Sequence, residues 1–163
     1  MKTLHLLRHA KSSWDHPGLP DKERPLNERG VRACALVGPA ILKSGYDFAA
    51  VYCSAGRRAR ETIELISEAV TETSITWAVE EALYTFSAGD LLEWCHEIDD
   101  SLDEVMIVGH NPALTELCTR LSGRYADHIP TCAYVKIENP VDSWRELGDS
   151  KGTITEFITP KAI

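Results

Sequence analysis

The chain of 163 residues is long enough for about one domain, taken here as residues 1–163, with a buried core of its own. It is 44% hydrophobic and 26% charged, the balance of an ordinary globular protein rather than a disordered or fibrous one. A net charge of −8 repels nucleic acid and anionic membranes, so any clustered basic residues call for a local explanation.

The N-terminus, MKTLHLLRHA, carries a single lysine and a short apolar run broken by His5 and Arg8. It matches neither a signal peptide nor a membrane helix. Five cysteines, Cys34, Cys53, Cys95, Cys118 and Cys132, show no CxxC pair and read as buried thiols of a reducing, cytoplasmic compartment.

Thr3 to Leu7 reads as a strand ending on Arg8-His9. His16 to Pro25, with three prolines and many charges, reads as a loop in which Asp21 and Glu23 are solvated. Asn27 suits the N-cap of a helix reaching Ser44, with Gly45 at its C′ position. Ala49 to Cys53 is a second strand. A helix from Gly56 to Val70 follows, with Ala59, Ile63, Ile66 and Val70 on one face.

Thr76 to Val79 reads as a short strand, Ala88 to Ile98 as a helix and Val105 to Val108 as an apolar strand. Gly109 to Pro112 (GHNP) opens a helix to Leu121, with Pro112 suited to its first turn. Tyr134 to Glu138 and Thr153 to Ile158 alternate as strands. The segment 139–151 between them reads as a polar connector. The order β-α-β-α-β-α-β-α-β-β predicts a three-layer α/β/α sandwich around a mostly parallel, mixed sheet. Such sheets bind ligands at the carboxyl ends of their strands.

Three of those ends resemble one another. The first carries Arg8-His9, the second runs from Ser54 into Arg57 and Arg58, and the fourth ends in Gly109-His110. Arg57, Arg58 and Arg60 lie in the first turn of a helix, where each cation costs about 0.3–1 kcal/mol against the helix dipole. A nearby anion reverses that penalty, because guanidinium groups and helix amides both favour phosphate. Two histidines and several arginines suit phosphoryl transfer through a histidine, with arginines balancing the charge on the phosphoryl oxygens and no metal required.

These motifs resemble those of the histidine phosphatase superfamily, the phosphoglycerate-mutase-like fold. Leu7-Arg8-His9-Ala10 is similar to its RHG signature, Ser54 to Thr62 to its SPxxRAxQT segment, and Gly109-His110-Asn111 to its late GHx motif. RHAKSSW, Arg24 to Gly30 (RPLNERG) and the short chain resemble the SixA-type phosphohistidine phosphatases. The resemblance implies that His9 is the nucleophile and that Arg8, Arg58 and His110 complete a phosphate pocket. It implies that Arg24 reaches the pocket from the first loop. Ala59 and Thr62 favour Arg58 over Arg57 in the alignment. The implied substrate is phosphohistidine on a partner protein, with phosphate or a similar anion in the pocket and no cofactor.

The chain departs from the family at Ala10, Ala55 and Glu61, where glycine, proline and glutamine are usual. It also has no glutamate after Leu83, where the mutases carry a proton donor. Only Glu80 and Glu81 lie close in sequence. An alkoxide leaving group needs such an acid, whereas the imidazole of phosphohistidine needs it less. The short chain implies an open site. Three rivals stand beside this reading: a phosphatase for a small phosphomonoester, a domain that binds phosphoryl groups without turnover, and a metal hydrolase using both histidines. Of the other histidines, His5, His16 and His96 read as structural or solvated, and His128 lies in a loop that can approach the pocket. The tryptophans read as packing residues, with Trp14, just after the nucleophile, the one in a position to border the site.

Overall fold

The structure is a computed structural model describing all residues 1–163. Ten main elements follow in the predicted order: β1 (Lys2–Arg8), α1 (Glu28–Ser44), β2 (Val51–Ser54), α2 (Arg57–Ala69), β3 (Ala78–Glu80), α3 (Ala88–His96), β4 (Glu104–Gly109), α4 (Ala113–Ser122), β5 (Tyr134–Asn139) and β6 (Thr153–Ile158). They build one six-stranded sheet of order β3-β2-β4-β1-β5-β6. β3, β2, β4 and β1 run parallel, while β5 and β6 are antiparallel additions at one edge.

Period-two alternation divides each central strand between two cores. Leu4 and Leu6 of β1 join Val105 and Ile107 of β4 against Leu91 of α3 and Leu114, Leu117 and Leu121 of α4. Leu7, Met106 and Val108 face the opposite way, against Val37 and Ile41 of α1 and Ile63 and Ile66 of α2. The helices therefore form two outer layers around the sheet. None is long and apolar enough to cross a membrane.

Local chemistry fixes the first helix as predicted. Asn27 Oδ1 accepts from Gly30 N at 2.8 Å, and Gly45 closes α1 at φ 114°. Three readings change. Pro112 stands at the N-cap of α4 rather than in its first turn, behind a cis Asn111–Pro112 peptide. The loop at 16–25 contains one 3₁₀ turn, Asp21–Glu23. The segment 139–151 is more than a polar connector: Val141, Trp144 and Leu147 are buried, and the Trp144 indole donates to Leu102 O at 2.7 Å. All five cysteines are free and buried, as their number and spacing predict.

Candidate active site

Parallel register brings three strand ends to one level. Leu7 pairs with Val108 and Arg8 with Gly109, while Cys53 pairs with Val108 from the other side. His9 N then donates to Gly109 O at 3.1 Å, which sets His9 beside His110. Their ring centroids are 5.2 Å apart.

His9 is held in one tautomer. Its Nδ1–H donates to the Ala10 carbonyl at 2.7 Å, so Nε2 carries the lone pair. Arg58 Nε lies 3.4 Å from that Nε2. Burial, aided by the neighbouring cationic groups, lowers the His9 pKa to about 3 despite the opposing pull of the Ala10 bond. The imidazole is therefore neutral at physiological pH.

His110 is neutral for a similar reason, its pKa lowered to about 3 by burial and then by Arg58. Ser54 Oγ accepts from Gly56 N at 3.1 Å and lies 2.7 Å from His110 Nε2. The buried Ser54 hydroxyl has no other acceptor for its proton, so it donates to Nε2, and the proton of His110 sits on Nδ1. Nδ1 is buried without a partner, and so is Arg8 Nε. Two buried donors are thus left over by the protein's own bonding, a pattern rare in folded cores unless a ligand uses it. Gly56 keeps the approach to His110 free, since a Cβ there would stand 3.1 Å from the imidazole Cε1.

The helix start at Arg57–Arg60 separates its arginines. Arg58 turns inward, its side chain 5% exposed. Arg57 points out to Glu61 at 3.2 Å, and Arg60 bonds the Ala55 carbonyl at 3.0 Å. Thr62 links α2 to the loop after β1, accepting from Ala10 N at 2.9 Å and donating to Arg58 O at 2.7 Å. Arg8 donates to Ile129 O at 3.0 Å, and His128 Nε2 lies 3.4 Å from it, so the His128 loop does approach.

Arg24 joins the group indirectly. Its nitrogens bond Ser12 Oγ, Ser13 O and Asp21 Oδ1, and its guanidinium carbon lies 3.3 Å from the Trp14 ring centroid. Trp14 is therefore a platform for Arg24 at the rim. Asp21 is not the solvated charge its loop suggests: it bonds Arg24, Arg58 and Tyr84. Neither Asp21 nor Tyr84 carries a sequence signal for this role, because Arg58 and Tyr84 reach Asp21 from 37 and 63 positions away. Glu81 pairs with Lys22 at 2.6 Å at the surface. The other histidines are structural: His5 bonds Tyr134 and Glu104, and His96 bonds Leu147 O. The site is less open than the short chain suggests. His9 is only 6% exposed, and the Tyr84 ring stands edge-on to His110 at 5.3 Å with its hydroxyl on Asp21.

The family profile of the histidine phosphatase superfamily (branch 1) matches residues 4–100, more than half of the chain. The protein belongs to that superfamily. An uncharacterised protein of Mycobacterium tuberculosis is 27% identical over 165 residues, covering 95% of this chain and 100% of its own. Among solved structures, the protein histidine phosphatase SixA in complex with tungstate superposes with a TM-score of 0.80 at 18% identity, over 98% of both chains. SixA from Agrobacterium tumefaciens superposes at 0.79 with 22% identity, again over 98% of each. The fold is the phosphoglycerate-mutase-like sandwich that the motifs imply.

Proposed function

We propose that this protein is a metal-independent phosphatase that works through a phosphohistidine on His9 and removes the phosphoryl group from phosphohistidine on a partner protein. One observation carries the reading: a neutral imidazole whose Nε2 lone pair is freed by the Nδ1–Ala10 bond and faces Arg58.

In the first step Nε2 forms a bond to phosphorus. The bond from phosphorus to the substrate nitrogen breaks, and the departing imidazole keeps the electron pair, leaving neutral because its other ring nitrogen already carries a proton. Arg8 Nε and His110 Nδ1, the two unpartnered donors, hold phosphoryl oxygens while charge spreads over them. In the second step water bonds to phosphorus and the N–P bond breaks. The electron pair returns to Nε2, and phosphate leaves with the surplus proton passing to solvent. The fold shared with SixA and the lack of a glutamate beside the histidines favour a leaving group that needs little acid assistance. The tungstate held by SixA is an oxyanion of the kind this pocket suits.

The test is phosphate release from a phosphohistidine peptide and from p-nitrophenyl phosphate, with EDTA present, for wild type and His9→Ala. Wild type prefers the peptide and forms an acid-labile phosphoenzyme, and His9→Ala loses both activities. Retained turnover in His9→Ala removes the nucleophile assignment.

A further inference from the structure

Asp21 is the point where the first loop, α2 and the segment after β3 meet. Its Oδ2 accepts from Arg58 Nη2 at 3.0 Å and from the Tyr84 hydroxyl at 2.6 Å. Its Oδ1 accepts from Arg24 Nη1 at 3.3 Å, and its backbone carbonyl accepts from Arg58 Nη1 at 2.8 Å. Arg58 therefore turns Nε toward His9 while both outer nitrogens are taken. Arg24 spends its remaining nitrogens on Ser12 and Ser13. The Asp21 carboxylate thus takes one outward donor from each arginine, and its backbone carbonyl takes the second from Arg58.

That carboxylate is charged under all physiological conditions. Partial desolvation pushes its pKa up, but the bonds from Tyr84, Arg58 and Arg24 outweigh this and hold it near about 2. Its charge is also felt at His110. Asp21 is thus a permanent negative charge at the mouth, one guanidinium away from the nucleophilic nitrogen.

We propose that Asp21 determines specificity by filling, from within, the place where a second anionic group of a substrate would bind, so that the site rejects phosphorylated carboxylic acids and accepts phosphoryl groups on uncharged or cationic carriers. The inference rests on the phosphatase reading and narrows its substrate class. A carboxylate next to the phosphoryl group has two options. It displaces Asp21 from two arginines, or it lies against a like charge. At an effective dielectric near 20–40, either option weakens binding by about tenfold. The imidazole of a phosphohistidine side chain demands neither.

Asp21 also aligns Arg58, and the experiment separates alignment from charge. Affinities for inorganic phosphate and for 3-phosphoglycerate are measured by calorimetry on wild type, Asp21→Asn and Tyr84→Phe, with p-nitrophenyl phosphate turnover in parallel. In Asp21→Asn, binding of 3-phosphoglycerate improves about tenfold relative to phosphate. Tyr84→Phe keeps the charge and leaves that ratio unchanged. An equal change of both affinities in Asp21→Asn reduces Asp21 to a support for Arg58 and overturns the proposal, as does a wild type that already prefers 3-phosphoglycerate. Turnover reads the phosphatase assignment separately. A shifted ratio without turnover removes that assignment and keeps the charge selection; turnover with an unshifted ratio does the reverse.

Discussion

Arg57 and Arg58 are neighbours in sequence, and α2 turns them about 100° apart. Arg58 is buried against His9, whereas Arg57 is 42% exposed and pairs with Glu61 on its own helix. An exposed i,i+4 pair is worth only about 0.3–0.5 kcal/mol. Arg57→Ala is therefore expected to leave kcat/KM for p-nitrophenyl phosphate and the unfolding midpoint close to wild type. Arg58→Ala removes the charge beside His9 that the proposed reaction uses and is expected to lower kcat/KM by about 10²–10³. Arg58→Lys fails to rescue, because an ammonium cannot bond Asp21 twice and also face His9. Comparable losses for Arg57→Ala and Arg58→Ala would contradict this division. The inward arginine was readable because Ala59 and Thr62 set its register. Asp21 was not readable. One acid among the charges of DKERP looks solvated until the fold brings Arg58 and Tyr84 to it, 37 and 63 positions away.

At the scale of elements, the succession of strands and helices along the chain and the three aligned strand ends follow from short apolar runs that alternate with helical periodicity. Those signals are local, which is why they were legible in the chain. What local pattern hides is close approach between elements. In the RPLNERG stretch, Gly30 opens α1 against the loop that follows His9, and a Cβ on it would lie 2.3 Å from Lys11 O, a backbone atom unable to swing away. Asn27 N also donates to Lys11 O, at 2.9 Å, so α1 and the loop after His9 are sewn together there. Gly30→Ala must push the two apart. It is expected to lower stability by about 1–3 kcal/mol, as overpacking does, and to lower kcat more than KM by moving His9. A variant with wild-type urea midpoint and wild-type kcat would show that this contact yields freely. The buried Trp144 is the other place where local pattern misled, since the polar connector 139–151 hides an indole fully buried in one core.

For the whole molecule, the site's chemistry sets how the fold responds to acid. His9 and His110 are buried with pKa values lowered to about 3, and burial lowers that of His5 as well. In the unfolded chain each returns to the ordinary histidine value near 6.5. Between about pH 6.5 and pH 3 the unfolded chain therefore binds protons that the folded protein refuses. Stability rises with pH across that window and is lost as pH falls through it. Asp21, held near about 2, adds a loss in the same direction, confined to more acidic pH. Well inside the histidine window His9 and His110 each contribute a slope of up to about 1.4 kcal/mol per pH unit. Urea unfolding between pH 7 and pH 4.5 is expected to show a steep fall for wild type and a flatter line for His9→Gln/His110→Gln. Glutamine keeps a polar side chain and cannot take up a proton. The slope is the deciding quantity, because the double variant also changes packing and so shifts the level at every pH. Parallel lines for the two proteins would mean that the histidines are already free to protonate in the folded state. The neutral nucleophile at the centre of the proposed chemistry would then be lost with them.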